Sequence, residues 1–166
     1  MTVILARLGI TPGLIGDLGE LYFKHLCLQR GFGYIRLEDI QTRIPSVQEF
    51  KFGFERIPVI VPPTLIEEIT RISKPTTVNG TQSFVFDFLT CKLYETDSRI
   101  SPNIREPKDF CWVEVKAGQS HLSSHQYEVA QTCKIRFSIF KIANVMSSPR
   151  AIQIDWQFDS KRFSEE

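Results

Sequence analysis

Glu114-Val115-Lys116 closes the apolar run Phe110-Cys111-Trp112-Val113 with an acid and a lysine two positions apart. Side chains of an extended strand alternate faces, so Glu114 and Lys116 point the same way. Burying either charge in such a run is costly unless it serves a partner, a metal or a ligand. Asp87 stands inside a second apolar run, Phe84-Val85-Phe86-Asp87-Phe88-Leu89. One strand carrying an acid, followed by one carrying acid-x-lysine, points to a divalent-metal site with a basic residue beside it. Mg²⁺ takes hard oxygen ligands and keeps several waters, so one or two carboxylates suffice.

The elements that must position these groups are legible on either side. Leu14, Ile15, Leu18, Leu21, Tyr22, His25 and Leu26 recur at helical spacing and predict a first helix over residues 13–30, ended by Gly31 and Gly33. Tyr34 to Leu37 is a short strand candidate. Residues 84–94 read as a strand bent near Thr90, with Phe84, Phe86 and Phe88 on one face and Val85, Asp87 and Leu89 on the other. A polar loop from Thr96 to Lys108, with Pro102 and Pro107, leads to a strand over 110–116. There Cys111, Val113 and Val115 oppose Trp112, Glu114 and Lys116. A helix follows over 123–133 with Val129 and Ala130 inward, and alternating runs over 136–143 and 151–158 give two more strands. Apolar residues on both strand faces predict a sheet covered on both sides.

Residues 40–83 are less regular. Phe50, Phe52 and Phe54 alternate, and Ile57-Pro58-Val59-Ile60-Val61 is apolar, which allows one or two short strands. Pro58 confines the second to an edge or a bend. Pro62-Pro63 introduces a short helix over 64–72, and Asn79-Gly80 signals a tight turn.

The 166 residues suffice for one domain with a substantial core. The net charge of +1 means that any contact with nucleic acid rests on a local patch rather than a global field. The short apolar stretch Met1 to Arg7 is poorly flanked for a signal peptide, and no run approaches the length of a membrane span. An intracellular, cytoplasmic protein is expected, with no membrane partner. Cys27, Cys91, Cys111 and Cys133 lie scattered in apolar or amphipathic runs, without a CxxC pair. They read as reduced core residues.

In this order the motifs resemble the PD-(D/E)xK nuclease superfamily, the restriction-endonuclease-like fold. The resemblance covers residues 13–37 and 84–145. It rests on Gly16-Asp-Leu-Gly-Glu20 in the first helix, Phe86-Asp87, Glu114-Val115-Lys116 and Leu122-Ser-Ser-His-Gln126. Phe86 occupies the place of the usual proline. The continuation from Val129 to Phe140 looks like the helix and strand that follow this motif in restriction- and repair-associated members. The resemblance implies an α/β fold with a mixed central sheet flanked by helices on both faces. Residues 1–166 would form one nuclease-like domain, with 40–83 a family-variable insertion serving dimerisation or substrate choice and 160–166 a flexible tail. It further implies a Mg²⁺-dependent endonuclease acting on DNA in repair, recombination or restriction, with Mn²⁺ able to substitute.

By the same resemblance Asp87, Glu114 and the Val115 carbonyl would hold the metal. Lys116 would orient the attacking water and steady the developing negative charge. Glu20 would bind a second metal or metal-bound water, and Gln126 would touch the active site or the DNA backbone. Small stand-alone members commonly form homodimers, which place two sites on two strands.

Each assignment has a plainer competitor. Asp87, Glu114 and Lys116 could form a charged face at a sheet edge, although buried charges without partners are rare. Glu20 could be an ordinary helix glutamate; Gly16 and Gly19 beside it would allow close approach to the sheet. Ser123 to Gln126 fits a capping box, and a helix N-terminus near a metal site also attracts phosphate. His121 and His125 are four apart, but without an adjacent glutamate they read as surface or phosphate-contacting residues rather than zinc ligands. Lys134, Arg136, Lys141 and Arg150 are candidates for phosphate contact and otherwise solvated surface. At the level of function, a non-catalytic binding module on a nuclease fold and an RNA-directed nuclease are the alternatives.

Overall fold

The computed structural model describes residues 12–95, 105–118, 120–143 and 150–156. The stretch Met1 to Arg7, most of the Thr96–Lys108 loop and the 160–166 tail lie outside the described residues, as does the Arg150 side chain.

The first helix, α1 (Pro12–Arg30), leads into β1 (Phe32–Arg36) and a single 3₁₀ turn, Leu37–Asp39. Then come β2 (Val47–Phe52), β3 (Glu55–Ile60), α2 (Pro63–Ile72), and the small hairpin β4 (Thr76–Val78) and β5 (Thr81–Ser83). The chain continues through β6 (Phe88–Glu95), β7 (Arg105–Ala117), α3 (Ser124–Thr132), β8 (Arg136–Ala143) and β9 (Arg150–Trp156). Seven strands form one sheet in the order β3-β2-β1-β6-β7-β8-β9. Among the described residues only β7 and β8 run parallel, and α3 makes the crossover that a parallel pair requires. The fold is therefore α/β with a mixed central sheet, as expected.

Two apolar clusters show that helices cover both faces. On one, Phe23 and Cys27 of α1 pack on Phe88, Cys111, Val113 and Phe140. Phe23 meets the Phe88 and Phe140 rings at centroid distances of 5.0 and 4.8 Å. On the other, Ile69 and Ile72 of α2 and Ala130 of α3 join Trp112, Leu89 and Phe137. The alternation read for β7 is observed: Cys111 and Val113 face α1, and Trp112 faces α2 and α3.

Three expectations are corrected. The strand expected from residue 84 begins at Phe88, so Phe86 packs in the Trp112 cluster while Phe88 packs beneath α1. Residues 84–87 leave the regular ladder and lose strict alternation; the Asp87 N–H still donates to the Val113 carbonyl at 3.1 Å. The end of the expected loop is strand instead, because β7 starts at Arg105 and Pro107 lies in it opposite Leu93. The ladder is irregular between Thr90 and Lys92, where the bend was expected. Gly33 lies within β1 rather than at the helix end. Residues 40–83 contribute Phe50, Val59, Val61, Ile69 and Ile72 to the core.

Other local readings stand. Pro58 sits on β3, an edge strand of the sheet. Asn79 and Gly80 both take positive φ, 51° and 77°, in the two-residue turn between β4 and β5, the pattern of a type I′ hairpin. All four cysteines are buried and free. Burial pushes the thiols of Cys27, Cys91 and Cys133 up to about 12 and that of Cys111 up to about 11, which suits core residues rather than nucleophiles.

Candidate metal centre

Asp87 precedes β6, and Glu114 and Lys116 lie near the end of the neighbouring strand β7. The Asp87 segment is held at three points. Its N–H donates to Val113, the Leu37 N–H donates to its carbonyl at 3.3 Å, and the Val115 N–H donates to its Oδ2 at 2.8 Å. N–H and C=O of one strand residue leave by the same edge. The Val115 carbonyl therefore faces the edge occupied by Asp87.

Glu114 is only 6 % exposed. Lys116 Nζ lies 3.0 Å from Glu114 Oε1, while Glu114 Oε2 is buried and makes no hydrogen bond of ordinary geometry, with the Gln126 amide and the Asp87 carboxyl its nearest polar neighbours. A buried carboxylate oxygen without a well-placed donor is unfavourable and marks a site that an added cation or donor would satisfy. Burial, followed by the neighbouring Glu114 charge, pushes the Asp87 carboxyl up to about 7, against the Val115 N–H and Lys116, which favour the anion. Burial also raises the Glu114 carboxyl, opposed chiefly by Lys116 and more weakly by Gln126 and Asp87. Two carboxyls thus sit close enough to resist joint ionisation. Lys116 is flanked by Lys141, its register partner on β8.

Gln126 makes the expected capping box and one further bond to the backbone. It closes the capping box with Ser123: its N–H donates to Ser123 Oγ at 3.1 Å, and its Oε1 accepts from the Ser123 N–H at 3.1 Å. Its Nε2 donates to the Val85 carbonyl at 2.9 Å, tying the start of α3 to the segment that carries Asp87.

Glu20 stands apart from the trio. Its Oε2 accepts from Arg36 Nη2 at 2.6 Å, and its charge still reaches Asp87. Gly19 allows α1 this approach, because a Cβ there would meet the Ala117 Cβ at 3.1 Å. Gly16 plays no such part, for nothing lies within 4 Å of its Cβ position. His121 and His125 are exposed. Among the described residues, no group of three His, Cys, Asp or Glu side chains stands ready as a metal-ligand set. Two carboxylates, one with a poorly satisfied oxygen, and one backbone carbonyl edge are a sparser set, of the kind that Mg²⁺ completes with water.

Two residues were missed in the sequence. Arg36 holds Glu20, lies 5.1 Å from the Phe88 ring centroid and faces Asp87 electrostatically; its partner is 16 positions away, so no local pattern signalled it. Glu68, on α2, is buried and accepts from the Ile135 N–H at 2.7 Å, from the Lys134 N–H, and from Trp112 Nε1 at 3.4 Å. It fixes Trp112, which shares the strand face of Glu114. A lone glutamate in an amphipathic helix gave no hint of this.

A scan against protein-family models and searches of curated proteins and of solved structures return no match to this chain.

Proposed function

We propose that this protein is a metal-dependent nuclease that hydrolyses phosphodiester bonds in DNA on a restriction-endonuclease-like arrangement. The observation that carries the reading is the convergence of Asp87 and Glu114 beside Lys116, with Glu114 Oε2 buried and poorly satisfied. Asp87, Glu114 and the Val115 carbonyl would hold the cation, Mg²⁺ or Mn²⁺. When bound, it would polarise the phosphate and favour ionisation of a water nucleophile.

The chain's own residues supply the rest. The Val115 N–H keeps Asp87 aimed at the edge of β7. Lys116 draws one oxygen of Glu114 toward itself and leaves the other free. Its ammonium also places a positive charge where the phosphate would gain negative charge. Arg36 holds Glu20 at the flank, where its charge reaches Asp87. Gln126 secures the Val85–Asp87 segment from the opposite side. A second copy of the chain would place an equivalent site on the complementary strand, as the expected homodimer requires.

The test is incubation of the purified chain with supercoiled, linear and branched DNA, and with RNA, in Mg²⁺, in Mn²⁺ and in chelator. Cleavage of DNA in either metal and none in chelator is expected. Cleavage of RNA alone would move the substrate assignment. Cleavage of neither would favour a non-catalytic binding module. No helix among the described residues is long and apolar enough to cross a membrane.

A further inference from the structure

Beyond β1, the face of the sheet that carries α1 is open. There Lys51 of β2 and Arg56 of β3 stand directly opposite one another, and Tyr34 of β1 is the next residue in the row. Both cations are exposed, and neither joins an ion pair among the described residues. Like charges directly opposite one another weaken a ladder, so the pair does not stabilise the hairpin that carries it. Lys24 extends from α1 to within 5.8 Å of the Tyr34 ring centroid. Burial and then Arg36 lower the Lys24 pKa, with Lys51 adding to this and Glu20 opposing it. Lys24, Arg36, Lys51 and Arg56 line one open groove of about 450 Å³. Glu38, Asp39 and Glu49 line it too, so four cations face three carboxylates there.

The groove continues in two directions. Arg36, paired with Glu20, and Glu38 line both this groove and the cleft that contains Asp87, which makes the groove continuous with the candidate metal centre. In the other direction, Lys24, Tyr34 and Lys51 border a second groove shared with Phe54. Phe54 is 94 % exposed at the tip of the β2–β3 turn. Gly53 opens that two-residue turn with φ 62°, while Phe54 keeps a negative φ, the pattern of a type II′ hairpin. A tight turn presents Phe54 to solvent on a short, rigid stalk.

We propose that this face, running from Phe54 past Lys51, Arg56 and Lys24 to Arg36, seats an unpaired nucleic-acid strand leading into the Asp87–Glu114 centre. The substrate would then be a nucleic acid with unpaired nucleotides beside the cleavage point. This deepens the nuclease reading and rests on it. Phosphates follow the cations, and a base stacks on Phe54. Bases inside a duplex are already stacked and offer no free face to a lone phenylalanine, whereas an unpaired strand does.

The test is fluorescence anisotropy with the full chain in chelator, so that binding is read without cleavage. The probes are a blunt DNA duplex, the same duplex with a single-stranded DNA overhang, and one with an RNA overhang. The overhang probes are expected to bind at least about tenfold more tightly than the blunt duplex. The double variant Lys51→Glu/Arg56→Glu should remove most of this gain and flatten the salt dependence. Phe54→Ala should weaken overhang binding at least about fivefold and leave the blunt duplex unaffected. All three substituted residues are exposed, so the thermal midpoint should stay near that of the parent chain and confirm folding.

Equal binding of blunt and overhang probes, unchanged binding by the double variant, or no binding of any probe would overturn the proposal. The two overhangs decide between DNA and RNA. Metal-dependent cleavage with unaltered binding by the variants would reject this face and leave the nuclease standing. Overhang binding lost in the variants, without cleavage by the parent chain in any metal, would reject the nuclease and leave the binding face.

Discussion

The Val115 N–H donates to Asp87 Oδ2 at 2.8 Å, so the residue between Glu114 and Lys116 also aims the acid on the neighbouring segment. One strand end thereby fixes both carboxylates and the lysine. Burial and the Glu114 charge, which outweigh this bond, make Asp87 costly to ionise unless a cation binds there.

Asp87→Asn separates these contributions. Asparagine retains an oxygen for the Val115 N–H and removes the like charge facing Glu114. The variant is expected to fold and, without metal at neutral pH or above, to be about 1 kcal/mol more stable than the parent chain. Its cleavage rate should fall at least about a hundredfold. Denaturant unfolding alongside a cleavage assay checks both; a destabilised variant would make Asp87 a structural residue.

The pH dependence of stability has a definite sign. Burial and the Glu114 charge move the Asp87 carboxyl from its ordinary 3.8 up to about 7. Between those values the folded chain keeps a proton that the unfolded chain has released. The stabilisation is full below 3.8 and is lost as pH rises through about 7. Metal-free protein in chelator should therefore show a steeper fall in stability across this window than Asp87→Asn does. Mn²⁺ should restore stability above the window. Parallel profiles for the two proteins would contradict the shift.

Gln126→Glu tests which connection of Gln126 matters. Glutamate at the third helical position can still close the capping box with Ser123, but it cannot donate to the Val85 carbonyl. Stability should fall by about 1 kcal/mol or less, and cleavage should drop roughly tenfold as the Asp87 segment loosens. An unchanged rate would confine Gln126 to capping.

Glu68→Ala should be the most damaging to the fold. It strands the Lys134 and Ile135 N–H groups and the Trp112 indole. A loss of about 3 kcal/mol is expected, lowering the thermal midpoint by roughly 10 °C. A change of less than about 1 kcal/mol would show that water replaces the carboxylate.

What was legible in the sequence follows from how local each cause is. The α1 periodicity, the Asn79-Gly80 turn, the Ser123–Gln126 box and the shared face of Glu114 and Lys116 are set by residues within a few positions. The departure of residues 84–87 from the ladder was not legible. Phe84, Phe86 and Phe88 alternate like strand residues, and only the tertiary contacts of Asp87 with Leu37 and Val113 show otherwise. The Glu20–Arg36 pair and the Glu68 contacts join residues 16 or more positions apart, so no pattern in the chain announces them. Pro107 read as a loop because proline supplies no ladder donor, yet it is accommodated within β7.

Lys116 distinguishes a cleavage site from a pair of buried acids. Cleavage of labelled DNA by the parent chain and by Lys116→Ala, in Mg²⁺ and at matched folded protein judged by circular dichroism, is the most direct measurement. Metal-dependent cleavage by the parent chain and a loss of at least about a hundredfold in the variant, with an unchanged spectrum, is the predicted result. Equal cleavage by the two proteins would contradict the assigned mechanism.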